Sequence, residues 1–255
     1  MKREGLERAA LTKMSTSTRS LPNVLLQAEP EPLEIEAQRT AVMVIDVQNA
    51  FLSKGGFFDL GTQSTSLAWS SCDPTEKTRR ISNIKRINEA ARSRGIKVVY
   101  TASVTPSVNS LSNNLGPYSP YWRKTKVLAL EREHPEWRNK LLIRGTWGAD
   151  IITELKPQEC DILVEKPRFS AFFQTNLDTI LRTHDVRYLI FVGIATNICV
   201  EATIRDAYYR DYFCILVSDA TINQGPAFTE EATIFNVKAC FGWVTTTENI
   251  VKTMQ

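Results

Sequence analysis

Histidine is almost missing from this chain, with two residues in 255, His134 and His184. Both stand in charged surroundings (EREHPEW and LRTHDVR), which reads as surface placement and leaves none to spare for zinc. No CxxC occurs, and the five cysteines (Cys72, Cys160, Cys199, Cys214, Cys240) are odd in number and far apart. Free thiols in a reducing compartment, the cytoplasm, are therefore expected. No run of eighteen apolar residues exists to span a membrane. The opening MKREGLERAALTKMSTSTRS has no apolar signal core, and Glu4 and Glu7 argue against a transit peptide. Neither GxGxxG nor GxxxxGK[ST] is present, which excludes the common nucleotide loops. The paired glycines of SKGGFFDL follow a strand by several residues and open no obvious helix. Charge is nearly balanced, 31 basic against 28 acidic residues and scattered, so no nucleic-acid partner is expected.

What the chain does have is a series of short apolar runs rich in β-branched residues. They are TAVMVID (40–46), KVVYTA (97–102), CDILVEK (160–166), VRYLIFVG (186–193), FCILVSDA (213–220) and WVTT (243–246). Nearly continuous apolar character marks strands buried on both faces. Helical patterns alternate with them: Ile81, Ile84, Ile87 and Ala91 form one stripe of TRRISNIKRINEAARSRG, which Gly95 stops. NLDTILRTH, NICVEATIRDAYYRD and FTEEATIFNVKACF follow the same logic. The expectation is a doubly wound three-layer α/β/α fold on a mostly parallel six-stranded sheet. Residues 1 to about 30 read as a mobile arm, because AEPEPLEIE has an exposed composition, and 31–255 as one domain. The stretch 103–145 breaks the alternation, and its Tyr118, Tyr121 and Trp122 favour a packed loop.

Ligands of open α/β sheets collect beyond the carboxyl ends of the strands. Three complementary groups stand there: Asp46 after AVMVI, Lys166 at the end of ILVEK, and Cys199 after YLIFVG and IATN. Each has an ordinary reading as a cap, a surface lysine or a small buried residue. Together they suit amide hydrolysis through a thioester. A thiol near a helix start, with Lys166 nearby, is expected to favour the thiolate. Asp46 would take the thiol proton and return it to a leaving amine. Backbone N–H groups around Ala195 and Cys199 would hold the oxyanion.

DVQNAF, EKPRFSAF and GIATNICVEAT resemble the three motifs of the isochorismatase-like superfamily of cysteine amidohydrolases. The likeness covers roughly residues 30 to 250, and is nearest to the ureidoacrylate amidohydrolases of pyrimidine catabolism. GGFFDL, GTWGADIITEL, KPRFSAFFQTNLDTILR and DATINQGPAF carry that closer resemblance. It implies Asp46 as general base, Lys166 as electrostatic partner and Cys199 as nucleophile. It also implies a cis peptide between Ile194 and Ala195, and a homo-oligomer, dimer or tetramer. Nicotinamidases of the superfamily place histidines after the first motif, whereas NAFLSKGGFFDLG has none, so neither metal nor other cofactor is expected. Ser103 and Thr105 stand where relatives have Asn and Trp, and Phe169 where Tyr is common. Asn49, Phe51, Phe57 and Phe172 are expected to contact substrate, Phe51 having a core alternative; Trp147 is expected in the core. Gln48 either positions Asp46 or caps the segment after it. The activity implied is C–N hydrolysis of a small ureido or carbamoyl compound. Biuret, triuret or carbamoylsarcosine are alternatives, and a non-catalytic binding protein is an alternative of another class.

Overall fold

The computed structural model describes residues 23–64, 73–105, 120–125 and 127–255. Residues 1–22, Cys72, Tyr118 and the Trp122 side chain lie outside them. The first element among the described residues is β1 (Asn23–Leu26), paired antiparallel to β2 (Leu33–Glu36), with Leu26 facing Leu33. Leu26 and Ile35 are 0% and 1% exposed, and Glu29 exchanges two backbone hydrogen bonds with Val244 (2.8 and 2.9 Å). Residues 23–30 therefore belong to the fold, not to an arm. The Pro and Glu of AEPEPLEIE face solvent, while the apolar residues beside them plug the core.

Six strands make the main sheet: β3 (Thr40–Ile45), β4 (Lys97–Ser103), β5 (Ile162–Lys166), β6 (Tyr188–Ile194), β7 (Phe213–Ile222) and β8 (Trp243–Thr245). All pair parallel, in the order β5-β4-β3-β6-β7-β8. The chain winds outward from β3 to β5, returns to β6 beside β3, and winds outward again to β8. The crevice at this reversal, between the ends of β3 and β6, is where such sheets take ligands.

The period of two along β3 assigns its faces. Val42 and Val44 enter one core with Ile84, Ile87, Ala91 and Ile250. Ala41, Met43 and Ile45 enter the other with Leu177, Leu181, Val200 and Ile204. The first helices of the chain are α1 (Asn49–Leu52) and α2 (Phe57–Ser64), then α3 (Pro74–Ser93). Asp73 caps α3 by accepting from the N–H groups of Thr75 and Glu76, both at 3.0 Å, with Pro74 as its first residue. Next come α4 (Pro120–Thr125), α5 (Val127–Glu133), α6 (Leu177–Thr183), α7 (Glu201–Tyr208), α8 (Ala227–Asn236) and α9 (Thr247–Thr253). Helices α3 and α9 cover one face of the sheet, α6 and α7 the other.

SKGGFFDL does open a helix, α2, contrary to expectation. Its glycines make the turn from α1: a side chain at Gly56 would put a Cβ 2.4 Å from the Asn49 carbonyl. Asp59 then accepts from the Gly55 N–H at 2.8 Å. Within the stretch that breaks the alternation, residues 127–143 build a small core of their own, where Val127, Leu130, Leu141, Leu142 and Ile143 pack with Ala50. Trp147 is 37% exposed and not in the core; it starts a short 3₁₀ turn, and its carbonyl accepts from Asn49.

Candidate active site

Asp46 is the first residue past β3 and has φ +51°, a left-handed conformation that an aspartate tolerates better than most side chains. Thr101 on β4 fixes it: the Thr101 hydroxyl donates to Oδ1 at 2.8 Å, and the Asp46 N–H donates back to Thr101. The other oxygen, Oδ2, lies 2.7 Å from Lys166 Nζ, and neither side chain has any exposed surface. Lys166 also donates to the Arg168 carbonyl at 2.9 Å. Burial pushes an ammonium toward neutrality, but the Asp46 carboxylate, then Cys199, hold Lys166 above the ordinary lysine range.

Cys199 lies in a single π-helical turn, Thr196–Val200, that leads into α7. The Ile194–Ala195 peptide before it is cis. The Ala195 carbonyl accepts from the N–H groups of Ile198 and Val200 at 3.0 and 3.1 Å, which closes the turn. Gly193 permits the approach: its φ is +118°, and a Cβ there would sit 2.2 Å from the Ile45 carbonyl oxygen. The Thr203 hydroxyl donates to the Cys199 carbonyl at 2.6 Å and accepts from the Ala171 N–H at 3.1 Å. The first turn of α7 thereby holds both the cysteine turn and the loop that follows Lys166.

The Asp46 carboxylate and the Lys166 ammonium both act on the thiol electrostatically. Its acidity runs against expectation. Burial pushes the Cys199 pKa up to about 12, the nearby ammonium lowers it only in part, and Asp46 raises it further. Desolvation of a thiolate thus outweighs the helix start and Lys166 together. The resting site is a neutral thiol above a buried ion pair.

Cys199 opens into a cavity of about 290 Å³. Phe51, Phe57 and Phe58 form one wall, with Phe51 and Phe58 ring centroids 4.7 Å apart. Tyr121 and Phe169 form another, at 5.2 Å. Ala195 and Ser103 also reach it. Of the expected substrate contacts, Phe51 and Phe57 line this space and Asn49 and Phe172 do not. Asn49 is buried, donating to the Trp147 carbonyl and accepting from Ser53. Phe172 packs in the core under α6 and α7, 5.9 Å from the Tyr212 ring. Gln48 meets Asp46 through its backbone, its N–H donating to the Asp46 carbonyl at 2.7 Å, and does not cap α1 with its side chain, which donates to the Ser103 and Ala149 carbonyls and accepts from the Ser103 N–H. Thr101, Phe58, Tyr121 and Lys124 were not foreseen. Register could have found Thr101, because β4 places it directly beside Ile45, one residue before Asp46.

A model of the isochorismatase domain matches residues 40–249. The chain belongs to the isochorismatase family. Within it, a ureidoacrylate amidohydrolase of Agrobacterium fabrum is 43% identical over 221 residues, 87% of this chain and 92% of the relative. Another, from Caulobacter segnis, is 43% identical over 224 residues, 88% of this chain and 89% of that one. Among solved structures of the family's fold, a cysteine hydrolase from Pseudomonas syringae pv. phaseolicola matches with a TM-score of 0.65 and 26% identity. That match covers 92% of this chain and 98% of the other. Among the described residues no group of three or more His, Cys, Asp or Glu side chains gathers to hold a metal ion. No described helix is long and apolar enough to cross a membrane.

Proposed function

We propose that this chain is a cysteine amidohydrolase that cleaves a small ureido compound, ureidoacrylate foremost, through a thioester on Cys199. The observation that carries the reading is the buried Asp46–Lys166 pair, at 2.7 Å and in electrostatic reach of the Cys199 thiol that lines a small aromatic cavity. The identity to ureidoacrylate amidohydrolases over most of the chain supports the choice of substrate.

Asp46 takes the thiol proton as the sulfur attacks the ureido carbon, and the neutral starting thiol makes that transfer necessary. Lys166 keeps a positive charge beside the carboxylate and the developing thiolate. The oxyanion faces the N–H groups of Ala195 and Cys199. Asp46 returns the proton to the leaving amine, which departs and leaves a carbamoyl thioester. Water then adds with Asp46 as base, freeing the thiol and carbamate, which decomposes to ammonia and carbon dioxide. Proton transfer, attack and oxyanion binding all draw on groups of this chain, with water as the only co-reactant.

Ammonia release from purified protein tests the reading, with ureidoacrylate, biuret, carbamoylsarcosine and nicotinamide compared in the presence of a chelator. Ureidoacrylate should give the highest kcat/KM, unchanged by the chelator. Highest turnover of biuret or carbamoylsarcosine would move the substrate, and binding with no turnover of any compound would favour the non-catalytic reading.

The raised thiol pKa carries a second expectation. An ordinary cysteine titrates near 9, so alkylation of a free thiol levels off above that pH. Labelling of Cys199 by iodoacetamide should instead keep rising by about tenfold per pH unit to at least pH 10, since the reacting thiolate is still scarce there. Exposed Cys160 and Cys240 serve as internal controls and should be labelled first. The same shift weakens the fold at alkaline pH. Between about 9 and 12 the unfolded thiol releases its proton while the folded one keeps it, so stability from this group falls as pH rises. Peptide mapping that shows a Cys199 rate levelling below pH 9 would contradict the assignment.

A further inference from the structure

We infer that helix α4 reads the substrate at two points: Tyr121 binds the ureido group beside the thiol, and Lys124 binds a carboxylate one turn farther out. The inference rests on the ureido reading above and names the residues that select among ureido compounds.

Both side chains line the cavity that Cys199 opens into. Residues three apart on a helix share a face, with Cβ atoms about 5–6 Å apart. That spacing is comparable to the span between the ureido carbon and the carboxylate carbon of a short ureido acid.

Tyr121 is fixed from several sides. Its ring meets Phe169 edge-on at 5.2 Å, and the Arg168 guanidinium lies 4.6 Å from its centroid. Its side chain is hydrogen-bonded with Ser103, and Lys166, Cys199 and Asp46 all act on it electrostatically. Burial raises its pKa, so the phenol stays protonated and offers both a donor and an acceptor. The phenylalanine walls offer neither, and ureido N–H groups in an apolar site need acceptors. Phe169 offers no hydroxyl, and Tyr121, packed on that ring, supplies one in the same part of the cavity.

Lys124 is the only described residue lining the cavity that carries a full charge. Lys166 cannot serve a distant anion, because it is fully buried and bound to Asp46 and the Arg168 carbonyl. An anionic end would therefore lie toward α4, with the ureido carbon over Cys199 and the flat chain between them on the Phe51, Phe57 and Phe58 wall.

Calorimetric binding to the full Cys199→Ala chain tests this, with ureidoacrylate compared to its methyl ester. The acid should bind more tightly than the ester. Lys124→Met should weaken acid binding by about tenfold or more and leave the ester unchanged, and Lys124→Arg should keep the preference. Tyr121→Phe should weaken both compounds by a similar factor. Equal affinity for acid and ester overturns the inference, as does a Lys124→Met loss common to both or a silent Tyr121→Phe. Wild-type ammonia release separates this from the reaction itself. Charge-selective binding without turnover sinks the hydrolase reading and leaves the recognition standing; turnover without charge selection does the reverse.

Discussion

Cys199→Ala should lower kcat/KM on ureidoacrylate by on the order of 10⁴-fold or more, with the fold intact. The size follows from what the sulfur does. Without it no covalent step is possible, and water would have to attack a ureido carbon directly, with only binding and the oxyanion contacts to help. Asp46 and Lys166 would still be paired at 2.7 Å, yet no group between them and the substrate would carry the attack. Structural cost should be small. The side chain is 7% exposed and sits at the floor of an open cavity, so removing one sulfur enlarges existing space and leaves no unpaired charge. Cys199→Ser should fall nearly as far, because Asp46 would face a hydroxyl far less acidic than a thiol. Initial rates of ammonia release, with urea unfolding as the control for folding, check this.

Lys166→Met should damage stability and activity together. Asp46 would keep its Thr101 hydrogen bond and lose the ammonium paired with it, with no exposed surface to admit water. Breaking a buried pair from one side costs about 3–5 kcal/mol, mostly because a charge is left unmatched. Without the ammonium no cation offsets the negative charge that builds on sulfur and carboxylate during attack, so turnover should fall by on the order of 10³-fold even where the variant is folded. The double variant Asp46→Asn/Lys166→Met separates the two effects. Asparagine suits the left-handed backbone at position 46, and no buried charge remains. The double variant should be more stable than Lys166→Met alone and equally inactive. Urea unfolding of wild type and the two variants reads the difference; equal stability of the single and double variants would show that the pair is not coupled.

Much of this site was legible because strands place their ends predictably. Asp46, Lys166 and Cys199 follow β3, β5 and β6, and parallel pairing around the winding reversal converges those ends whatever the loops do. Turn detail was harder to read. Asn49 and Phe172 sit next to the right motifs, but a change of one residue along a turn decides whether a side chain faces cavity or core, and packing sets that. Tyr121 and Lys124 come from the stretch that breaks the βα rhythm, where no strand end fixes position. Their place depends on the small core of Val127, Leu130 and Leu141–Ile143, which becomes visible only once the chain is folded. The thiol's acidity was misjudged for a related reason. Position on a helix start and charge beside it are both visible in sequence, but burial is not, and here burial is the larger effect.

The central claim is that Cys199 carries the substrate's carbamoyl group during turnover. Acid quench of wild-type protein through its first turnover of ureidoacrylate, followed by mass measurement of the peptide bearing Cys199, tests it most directly. A transient added mass confined to that peptide, decaying as ammonia accumulates, is the predicted result. A first turnover that runs to completion while the Cys199 thiol stays unmodified at every time point would contradict it.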